Sequence, residues 1–527
     1  MFLAFSIFLM LFQQQPAIAM EPIKRPEGLL CAEQALDNPY IDAGSLINAC
    51  LQRTSGRITL RPGRYYLKTR IDFSNVSNVV LTTLGRRPSD SACEDSKTCA
   101  ELYAHDDFIN GPLFVSQNAQ FLTLDHVIIN GNKINRLAKN GTSVAIWGNP
   151  NSFNSAIHQC RNCQFIGLSV IQAVRGTGME FSGENALFDR VVFKDNGRSI
   201  MIHPNTNDQP WADGLTVHSG PGLMIINSEF SDNSDVNLII GHAPRAQIRN
   251  NRILNSYNFA FAGLMLDNFN GSTLGDFSDS LISNNIVDCG PLAACGIGID
   301  LGPWLWYQPQ GKLINGGIIA NNKINEARVG ISIYGAQGTQ ISGNRINSTF
   351  TWSLSNGRCQ GAGIDQFSSV NGMTNRSLNI YDNSVGVSFD RLRNCLGQPP
   401  SLAALKPTRH IDMTVFSRPV TEAFQILLNR APDFSGGNYF DNILRQGNSV
   451  RSVLVDITKS EEFTRQLPTD NRDFVIFLYQ RILKRNADPG GLEHFVNSLN
   501  SGTPRQAVIE NFIDSLEFMN RYPALIH

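Results

Sequence analysis

The chain has 527 residues, of which 42% are hydrophobic and 17% are charged, and its formal net charge is −1 at pH 7. Nucleic-acid-binding proteins usually present a basic face, so this charge balance disfavours nucleic acid as a partner. The length exceeds what one ordinary globular core supports, although a solenoid can extend this far as a single domain.

The amino terminus has the pattern of an export signal. Residues 1–12 are almost wholly apolar, and Ala17 and Ala19 supply a small-x-small cleavage site. The apolar run is too short to cross a bilayer, and no later segment is long and apolar enough to do so. We therefore predict a signal peptide over residues 1–19 and a mature protein that is secreted or held at the cell surface, without a membrane span.

The ten cysteines support this prediction, because an even number of cysteines in an exported protein indicates disulfides. The sequence does not fix which cysteines pair, and we expect each to pair with its neighbour along the chain. These expected pairs are Cys31–Cys50, Cys93–Cys99, Cys160–Cys163, Cys289–Cys295 and Cys359–Cys395.

Residues 20–112 are predicted to form an amino-terminal cap and the first coils of a solenoid. Residues 43–51 have the apolar spacing of a helix, and residues 56–67 alternate like strands on either side of Pro62 and Gly63. A cap is needed because the first coil of a solenoid would otherwise expose its apolar end and a sheet edge.

Two short phrases then repeat and predict a solenoid over residues 113–413. The first phrase is apolar–polar–Asn–polar–apolar, and its copies recur at the intervals typical of solenoid coils. Their central asparagines are Asn251, Asn285, Asn322, Asn344 and Asn383. The second phrase is a short strand that often begins with glycine, as at Gly178, Gly214, Gly263, Gly296, Gly330 and Gly361. β-Branched residues beside Asn and Gly favour stacked strands, with the asparagines in a structural stack at the bends.

These alternating strand families resemble the parallel β-helix of the pectate lyase and polygalacturonase superfamily, over roughly residues 40–410. The helix followed by strands around a Pro-Gly turn is also similar to the cap of such enzymes and of phage tailspikes. The resemblance implies a mainly β fold, a right-handed parallel β-helix solenoid with an N-terminal helical cap, followed by a small all-α C-terminal domain.

Polar residues that follow the second phrase are the candidate site. In a parallel β-helix, residues just past equivalent strands stack in a column, so that residues far apart in sequence can form one site. The column includes His218, His242, Asp267 and Asp300, whose side chains can act as acid, base or metal ligand. Turn chemistry alone also favours Asp, so a purely structural role stays open.

The same region is similar to polygalacturonase-like glycoside hydrolases. Asp213 in Trp-Ala-Asp-Gly matches the first element of their signature, and Asp235 follows about one coil later, where a paired Asp-Asp belongs. Here one Asp of that pair is Ser234, and neither Gly-His-Gly nor Arg-Ile-Lys follows, which puts the family's mechanism in doubt. We predict that six residues line one continuous groove: Asp213, His218, Asp235, His242, Asp267 and Asp300.

A lyase is the second mechanism that the sequence leaves open. It needs a base and a cation or basic group that stabilises an enolate. Calcium is a possible cofactor in that case, with ligands among Asp213, Asp232, Asp235 and Asp267, and Arg245, Arg249 or Arg252 as the base. For a hydrolase no cofactor is predicted.

Residues 414–527 have helical periodicity and an internal duplication, with copies at 420–470 and 474–523. The copies share a Leu-x-Arg-x-x-Asp-x-x-Gly pattern and a later Ser-x-Glu-Phe. We predict three helices in each copy, the third of which ends at Ser-x-Glu-Phe. They resemble two copies of the domain of unknown function 4214. We predict that Asp433 and Asp488 in the Asp-x-x-Gly turns are turn or helix-capping residues, because an EF-hand needs more oxygen ligands.

The sequence therefore predicts an exported carbohydrate-active protein, a polysaccharide hydrolase or lyase acting on acidic or uronate-containing glycans. The alternative is a non-catalytic surface or matrix protein that binds glycan, with the helical modules contacting a cell-surface or matrix partner. A fold does not fix an activity, so the site must decide between them.

Overall fold

The computed structural model describes most of the chain between residues 28 and 525. The described residues are 28–109, 111–133, 135–136, 154–197, 211–256, 258–268, 274–290, 294–302, 313–348, 351–354, 357–360, 362–368, 374–391, 418–430, 432, 434–445, 448–522 and 525. The predicted signal peptide and Asp433 lie outside these residues.

Nearly all described strands belong to three parallel sheets. Sheet 1 contains β1 (Leu29–Leu30), β2 (Arg57–Leu60), β5 (Val80–Thr83), β8 (Thr123–Asp125), β11 (Gln164–Ile166), β14 (Leu187–Asp189), β17 (Met224–Ile226), β20 (Gln247–Arg249), β23 (Asp276–Ser283), β26 (Ile314–Ala320), β29 (Ala336–Gln337), β30 (Gln340–Ser342) and β35 (Asn379–Tyr381).

Sheet 2 contains β3 (Gly63–Leu67), β6 (Ala100–Ala104), β9 (Val127–Asn130), β12 (Ser169–Ile171), β15 (Val192–Lys194), β18 (Glu229–Ser231), β21 (Arg252–Leu254), β24 (Ile286–Asp288), β27 (Lys323–Asn325) and β31 (Arg345–Asn347). Sheet 3 contains β4 (Ile71–Asp72), β7 (Phe114–Gln117), β10 (Ser155–Arg161), β13 (Gly176–Glu184), β16 (Ala212–Ser219), β19 (Val236–Ile240), β22 (Ala260–Leu266), β25 (Cys295–Leu301), β28 (Val329–Ile333), β34 (Ala362–Gln366) and β36 (Val387–Phe389). An antiparallel pair, β32 (Thr351–Leu354) and β33 (Gly357–Gln360), interrupts the coils.

The chain passes from sheet 1 to sheet 2 to sheet 3 in each coil, and each strand pairs in parallel with its equivalent in the next coil. In sheet 1, for example, Phe165 is in register with Phe188, Phe188 with Ile225, and Ile225 with Ile248. All four side chains are fully buried. The chain therefore forms a parallel β-helix with apolar side chains stacked in columns inside it, which confirms the predicted fold class.

The bend between sheet 1 and sheet 2 explains the Asn phrase. Asn250, Asn284 and Asn321 have φ of 59°, 55° and 56°, in the left-handed region that Asn tolerates better than most residues. The asparagine after each of them is buried, and its Nδ2 donates to the Oδ1 of the next coil at 2.9–3.0 Å. This asparagine ladder consists of Asn251, Asn285, Asn322, Asn344 and Asn383. Its role is structural, as predicted.

The bend between sheet 2 and sheet 3 explains the glycines of the second phrase. A Cβ at Gly263 would lie 2.7 Å from Val287, and a Cβ at Gly298 would lie 2.5 Å from Ile324. Glycine is therefore required at these two positions of β22 and β25, which lie against core side chains of sheet 2. A second run of buried asparagines crosses this bend, formed by Asn196, Asn233, Asn237 and Asn255.

Four of the five predicted disulfides are present. They join Cys31 to Cys50, Cys93 to Cys99, Cys160 to Cys163 and Cys289 to Cys295. The fifth expected pair involves Cys395, which lies outside the described residues. Ahead of the coils, helix α1 (Ala43–Arg53) begins at Asp42, whose side chain accepts a hydrogen bond from the Gly44 backbone N–H. Its residues Ala43 and Ile47 are buried in the β-helix core, as expected of a cap.

The carboxyl-terminal part of the chain is helical. Its helices are α2 (Arg418–Leu427), α3 (Phe434–Arg445), α4 (Val450–Thr458), α5 (Glu461–Thr464), α6 (Asn471–Arg481), α7 (Pro489–Asn500), α8 (Arg505–Ile513) and α9 (Leu516–Arg521). Helices α3, α4 and α5 have the same order and spacing as α7, α8 and α9, which matches the duplication in the sequence. Among the residues that the structure describes, none of the helices has both the length and the apolar character that a membrane crossing requires.

Each repeat contains a fourth helix that the sequence pattern did not separate. Ser460 and Ser515 do not end a third helix but cap the start of α5 and α9, because their side chains accept from Phe463 N–H and Phe518 N–H. Asp488 caps α7 through the Gly491 N–H at 2.7 Å, as predicted.

The repeated Arg and Glu of this pattern form equivalent ion pairs. Arg430 contacts Glu462 through two hydrogen bonds of 2.5 and 2.6 Å, and Arg485 contacts Glu517 through two of 2.7 and 2.8 Å.

Candidate functional site

The carboxylates of Asp213 and Asp235 come together at the start of two adjacent strands of sheet 3. Asp213 lies in β16 and is half-buried, and buried Asp235 directly precedes β19. The Asp235 backbone N–H donates to the Ala212 carbonyl, and the Val236 N–H donates to Asp213 Oδ1 at 3.0 Å. Thr216 donates to Asp213 Oδ2 at 2.7 Å. Both carboxylate oxygens of Asp213 therefore accept a hydrogen bond, and the side chain is fixed next to a second carboxylate.

This placement makes Asp213 hard to ionise. Burial and the charge of Asp235 raise its pKa well above the usual value, and Glu180 adds to the effect. The hydrogen bonds from Thr216 and Val236 act in the opposite direction but do not compensate. Because two like charges held close together cannot both ionise easily, the Asp213–Asp235 pair releases its protons less readily than two isolated carboxyls would.

Glu180, in β13, lies beside this pair and has the opposite tendency. Its Oε1 contacts His218 Nε2 at 2.8 Å, and its Oε2 lies 3.5 Å from His158 Nε2. Burial raises the pKa of Glu180, but the hydrogen bonds and charges of the two histidines outweigh burial and bring the pKa to about 2. Glu180 is in register with Thr216, the residue that holds Asp213. A carboxyl with a raised pKa, Asp213, and one with a lowered pKa, Glu180, thus lie side by side on sheet 3.

The other predicted residues lie further along the same sheet. His242 follows β19 and accepts a hydrogen bond from the Asp276 N–H at 3.3 Å. Burial lowers its pKa, although Asp276 partly offsets this. Asp267 follows β22 and Asp300 lies within β25, and both are buried. Asp300 is level with Thr216 but three coils away, which at the usual strand spacing is about 14 Å.

Asp300 has no exposed surface. Burial and the nearby charge of Asp267 raise its pKa to about 8, with Ser332 acting against them. The six predicted residues therefore form two carboxylate pairs, Asp213–Asp235 and Asp267–Asp300, with His218 bound to Glu180 beside the first pair and His242 in a turn of its own.

A third carboxylate pair lies at the bend between sheet 2 and sheet 3. Asp195 and Asp232 occupy equivalent positions after β15 and β18. Burial and the charge of Asp195 raise the pKa of Asp232 to about 7, although the Ser256 and Asn258 N–H groups bind its Oδ1. Among the described residues, no three His, Cys, Asp or Glu side chains converge as ligands for one metal ion.

Glu180 and His158 are the site residues that sequence reasoning missed. Glu180 stands between Met179 and Phe181, two fully buried residues of a repeated strand phrase, so an outward charged side chain could have been noticed there. Its partners could not, because His158 and His218 belong to the coils before and after it, and coil lengths vary.

Comparison with solved structures finds proteins of low identity. ORF18 of Geobacillus virus E2 matches 67% of this chain and 59% of its own, at 13% identity and a TM-score of 0.33. The endo-xylogalacturonan hydrolase of Aspergillus tubingensis matches 68% of this chain and 93% of its own, at 10% identity and a TM-score of 0.42. The alginate lyase of Paenibacillus sp. strain FPU-7 matches 64% of this chain and 97% of its own, at 11% identity and a TM-score of 0.36.

A tailspike protein of Escherichia coli bacteriophage HK620, solved with a pentasaccharide, matches 67% of this chain and 62% of its own, at 14% identity and a TM-score of 0.41. The chain spans about three fifths of the length of the Geobacillus virus protein and of the Dettilon tailspike. No curated protein matches the sequence. The parallel pairing of equivalent strands in successive coils identifies the fold as a parallel β-helix.

One family model matches part of the chain. Residues 456–522, from the end of α4 to just past α9, match the model of DUF4214, a domain of unknown function. The match covers the second helical repeat, and the first repeat has the same order of helices. The chain therefore combines a parallel β-helix with helical repeats, the second of which is similar to DUF4214.

Proposed function

We propose that this protein is an exported polysaccharide hydrolase whose reacting groups are Asp213 and Asp235. The observation that carries the proposal is the adjacency of Asp213 and Asp235, where backbone hydrogen bonds hold the two strands together and burial and the charge of Asp235 raise the pKa of Asp213. Two carboxyl groups, one protonated and one ionised at the same pH, are what hydrolysis of a glycosidic bond requires.

In the proposed reaction Asp213 gives its proton to the oxygen of the departing sugar as the bond to the anomeric carbon breaks. Asp235 accepts a proton from the attacking water, whose oxygen forms the new bond to that carbon. One water is consumed and two sugar hydroxyls are produced, so atoms and charge balance. Thr216 and the Val236 N–H orient Asp213, and Glu180 favours its protonated form.

An acidic or uronate-containing glycan is the proposed substrate class, as the sequence predicts. Export is proposed from the pattern of residues 1–19, and the four disulfides of the β-helix support it, because disulfides persist in oxidising compartments. Counting free thiols in protein purified without reductant tests this part. Eight or more free thiols would contradict it.

The test of activity is a panel of uronate and neutral polysaccharides, assayed both for new reducing ends and for unsaturated products that absorb in the ultraviolet. We expect reducing ends without ultraviolet absorbance. Unsaturated products would show a lyase instead, and activity that survives in the Asp213→Asn, Asp235→Asn double variant would remove both residues from the reaction. Binding without any cleavage would favour the non-catalytic glycan-binding protein.

A further inference from the structure

A polar cleft opens at the carboxyl-terminal ends of β10, β13 and β16, at the opposite end of sheet 3's strands from Asp213. Its volume is about 530 Å³, and its lining includes Gln120, Gln159, Arg161, Ser182, Glu184 and Ser219. Every lining residue is polar or glycine. A surface of amides, hydroxyls and one charge of each sign suits a ligand that is recognised by hydrogen bonds rather than by apolar contact.

Three of these residues occupy one row across neighbouring coils. Gln120 pairs with Arg161, and Arg161 is in register with Glu184, so that successive members are about 4.8 Å apart. All three are exposed. Within the described residues, neither the guanidinium of Arg161 nor the carboxylate of Glu184 is part of an ion pair. The Arg161 guanidinium, with five N–H donors, and the Glu184 carboxylate, which is an acceptor, therefore face solvent side by side.

The polar cleft is continuous with the candidate site. Ser182 Oγ lies 3.4 Å from His158 Nδ1, and His158 contacts Glu180, which in turn contacts His218. Ser219 follows His218 in β16, and Asp213 stands near the start of the same strand, roughly 20 Å away. Polar and titratable side chains thus follow the strand direction from Asp213 to the cleft, across the coils of β10, β13 and β16.

The charges of this row decide which sugar fits. A carboxylate bound by Arg161 would lie within about 5 Å of Glu184, and like charges at that distance repel even when partly solvated. Two neighbouring sugar hydroxyls meet no such penalty, because one can accept from Arg161 while the other donates to Glu184.

We propose that the polar cleft is a subsite for an uncharged sugar unit, with Arg161 donating to and Glu184 accepting from its hydroxyls. The inference extends the proposed function, since it assigns the polysaccharide a path along the strand direction of sheet 3. It also separates the sugar bound here from the sugar cleaved at Asp213, which can carry a carboxylate.

Calorimetric titration of the Asp213→Asn, Asp235→Asn double variant tests the subsite without turnover. The probes are neutral pentasaccharides of glucose, xylose, mannose, arabinose and galactose, with pentagalacturonic acid as the charged ligand of equal length. We expect at least one neutral probe to bind, and Arg161→Gln or Glu184→Gln to weaken that binding tenfold or more, as expected when a hydrogen bond to a charged group is lost. Arg345→Gln, which alters an exposed arginine on sheet 2, should leave it unchanged.

Circular dichroism of each variant confirms that exposed substitutions leave the fold intact. The subsite is overturned if no neutral probe binds, if binding is indifferent to Arg161 and Glu184, or if only pentagalacturonic acid binds and requires Arg161. These results are distinct from failure of the proposed function. If the wild-type enzyme cleaves a glycan but the cleft binds no neutral sugar, the hydrolase proposal stands and the subsite is rejected. If a neutral sugar binds and this binding requires Arg161, but no glycan is cleaved, the subsite stands and the hydrolase proposal is rejected.

Discussion

Two sets of polar side chains repeat along the β-helix, and their surroundings differ. In the asparagine ladder, Asn285 donates to Asn322 and to the Ile248 carbonyl and accepts from Asn251, so its amide is fully bonded. On sheet 3, Asp213 and Asp235 are held against each other, and burial raises the pKa of Asp213. A hydrogen-bonded polar column stabilises the fold, whereas two adjacent carboxyls that repel each other when both are ionised have the shifted pKa values typical of reactive sites. The difference predicts opposite outcomes for substitutions in the two sets.

The largest expected effect is on catalysis. Asp213→Asn should lower the rate of polysaccharide cleavage by about a thousandfold, because an amide cannot donate the proton that the leaving oxygen requires. It should not lower the midpoint of urea unfolding, since it removes a repulsion. Asp279→Asn, at an exposed position of β23, is the matched control and should change neither quantity. A clear loss of stability in Asp213→Asn would place Asp213 with the structural residues.

The asparagine ladder should respond in the reverse way. Asn285→Ala should lower the free energy of unfolding by about 3 kcal/mol, because it leaves buried donors of Asn251 and the Ile248 carbonyl without partners. Urea denaturation followed by circular dichroism measures this. Asn315→Ala, at an exposed position of β26, should cost less than about 0.5 kcal/mol. Equal losses of unfolding free energy in the two variants would mean that the buried ladder contributes no more to stability than an exposed asparagine does.

Asp300, which belongs to the second carboxylate pair, should make the stability of the fold depend on pH. Its pKa is about 8 in the folded chain against 3.8 for a free carboxyl, so the folded state holds a proton that the unfolded state releases. Its contribution to stability is complete below pH 3.8 and is lost as the pH rises towards 8, at up to about 1.4 kcal/mol per pH unit. Asp300→Asn should remove this part of the slope when unfolding is measured from pH 4 to pH 8. An unchanged slope would show that Asp300 ionises as freely as it does in water.

The smallest effect is expected in the helical repeats, where polar pairs are satisfied but exposed. The Arg485 and Glu517 side chains retain about a third of their surface, 34% and 36%. Arg485→Ala should therefore cost at most about 1 kcal/mol. Arg465→Ala, whose partner Glu461 is 78% exposed, should cost still less. A loss in thermal unfolding of Arg485→Ala as large as that of Asn285→Ala would mean that the pair is as important to folding as the ladder.

The asparagine ladder was predictable because each coil repeats the same local phrase. The bend needs a left-handed residue and then a buried amide, and Asn250 with Asn251 supplies both within two positions. The helical repeats were predictable for the same reason, although the sequence joined the short helix α5 to the helix before it. In each case the signal lies within a few residues of the structure that it specifies.

The candidate site is different, because its contacts join coils of unequal length. The family resemblance singled out Asp213 and Asp235, but nothing in the spacing of His158, Glu180 and His218 indicates that they meet. Their meeting depends on the register of β10 against β13 and of β13 against β16, which shifts within both pairs. Likewise, the raised pKa of Asp300 depends on burial and on Asp267, which belongs to the preceding coil, and no local pattern records this contact.

The direction of the asparagine ladder has an electrostatic consequence. Each amide nitrogen from Asn251 onward points to the oxygen of the following coil, so the amide dipoles align instead of cancelling. The shorter run that begins at Asn196 points the same way. As in an α-helix, aligned dipoles sum to partial charges at the two ends, here negative towards Asn251 and positive towards Asn383. The aligned side-chain amides thus contribute a dipole along the axis of the β-helix, which favours anionic groups at its carboxyl-terminal end.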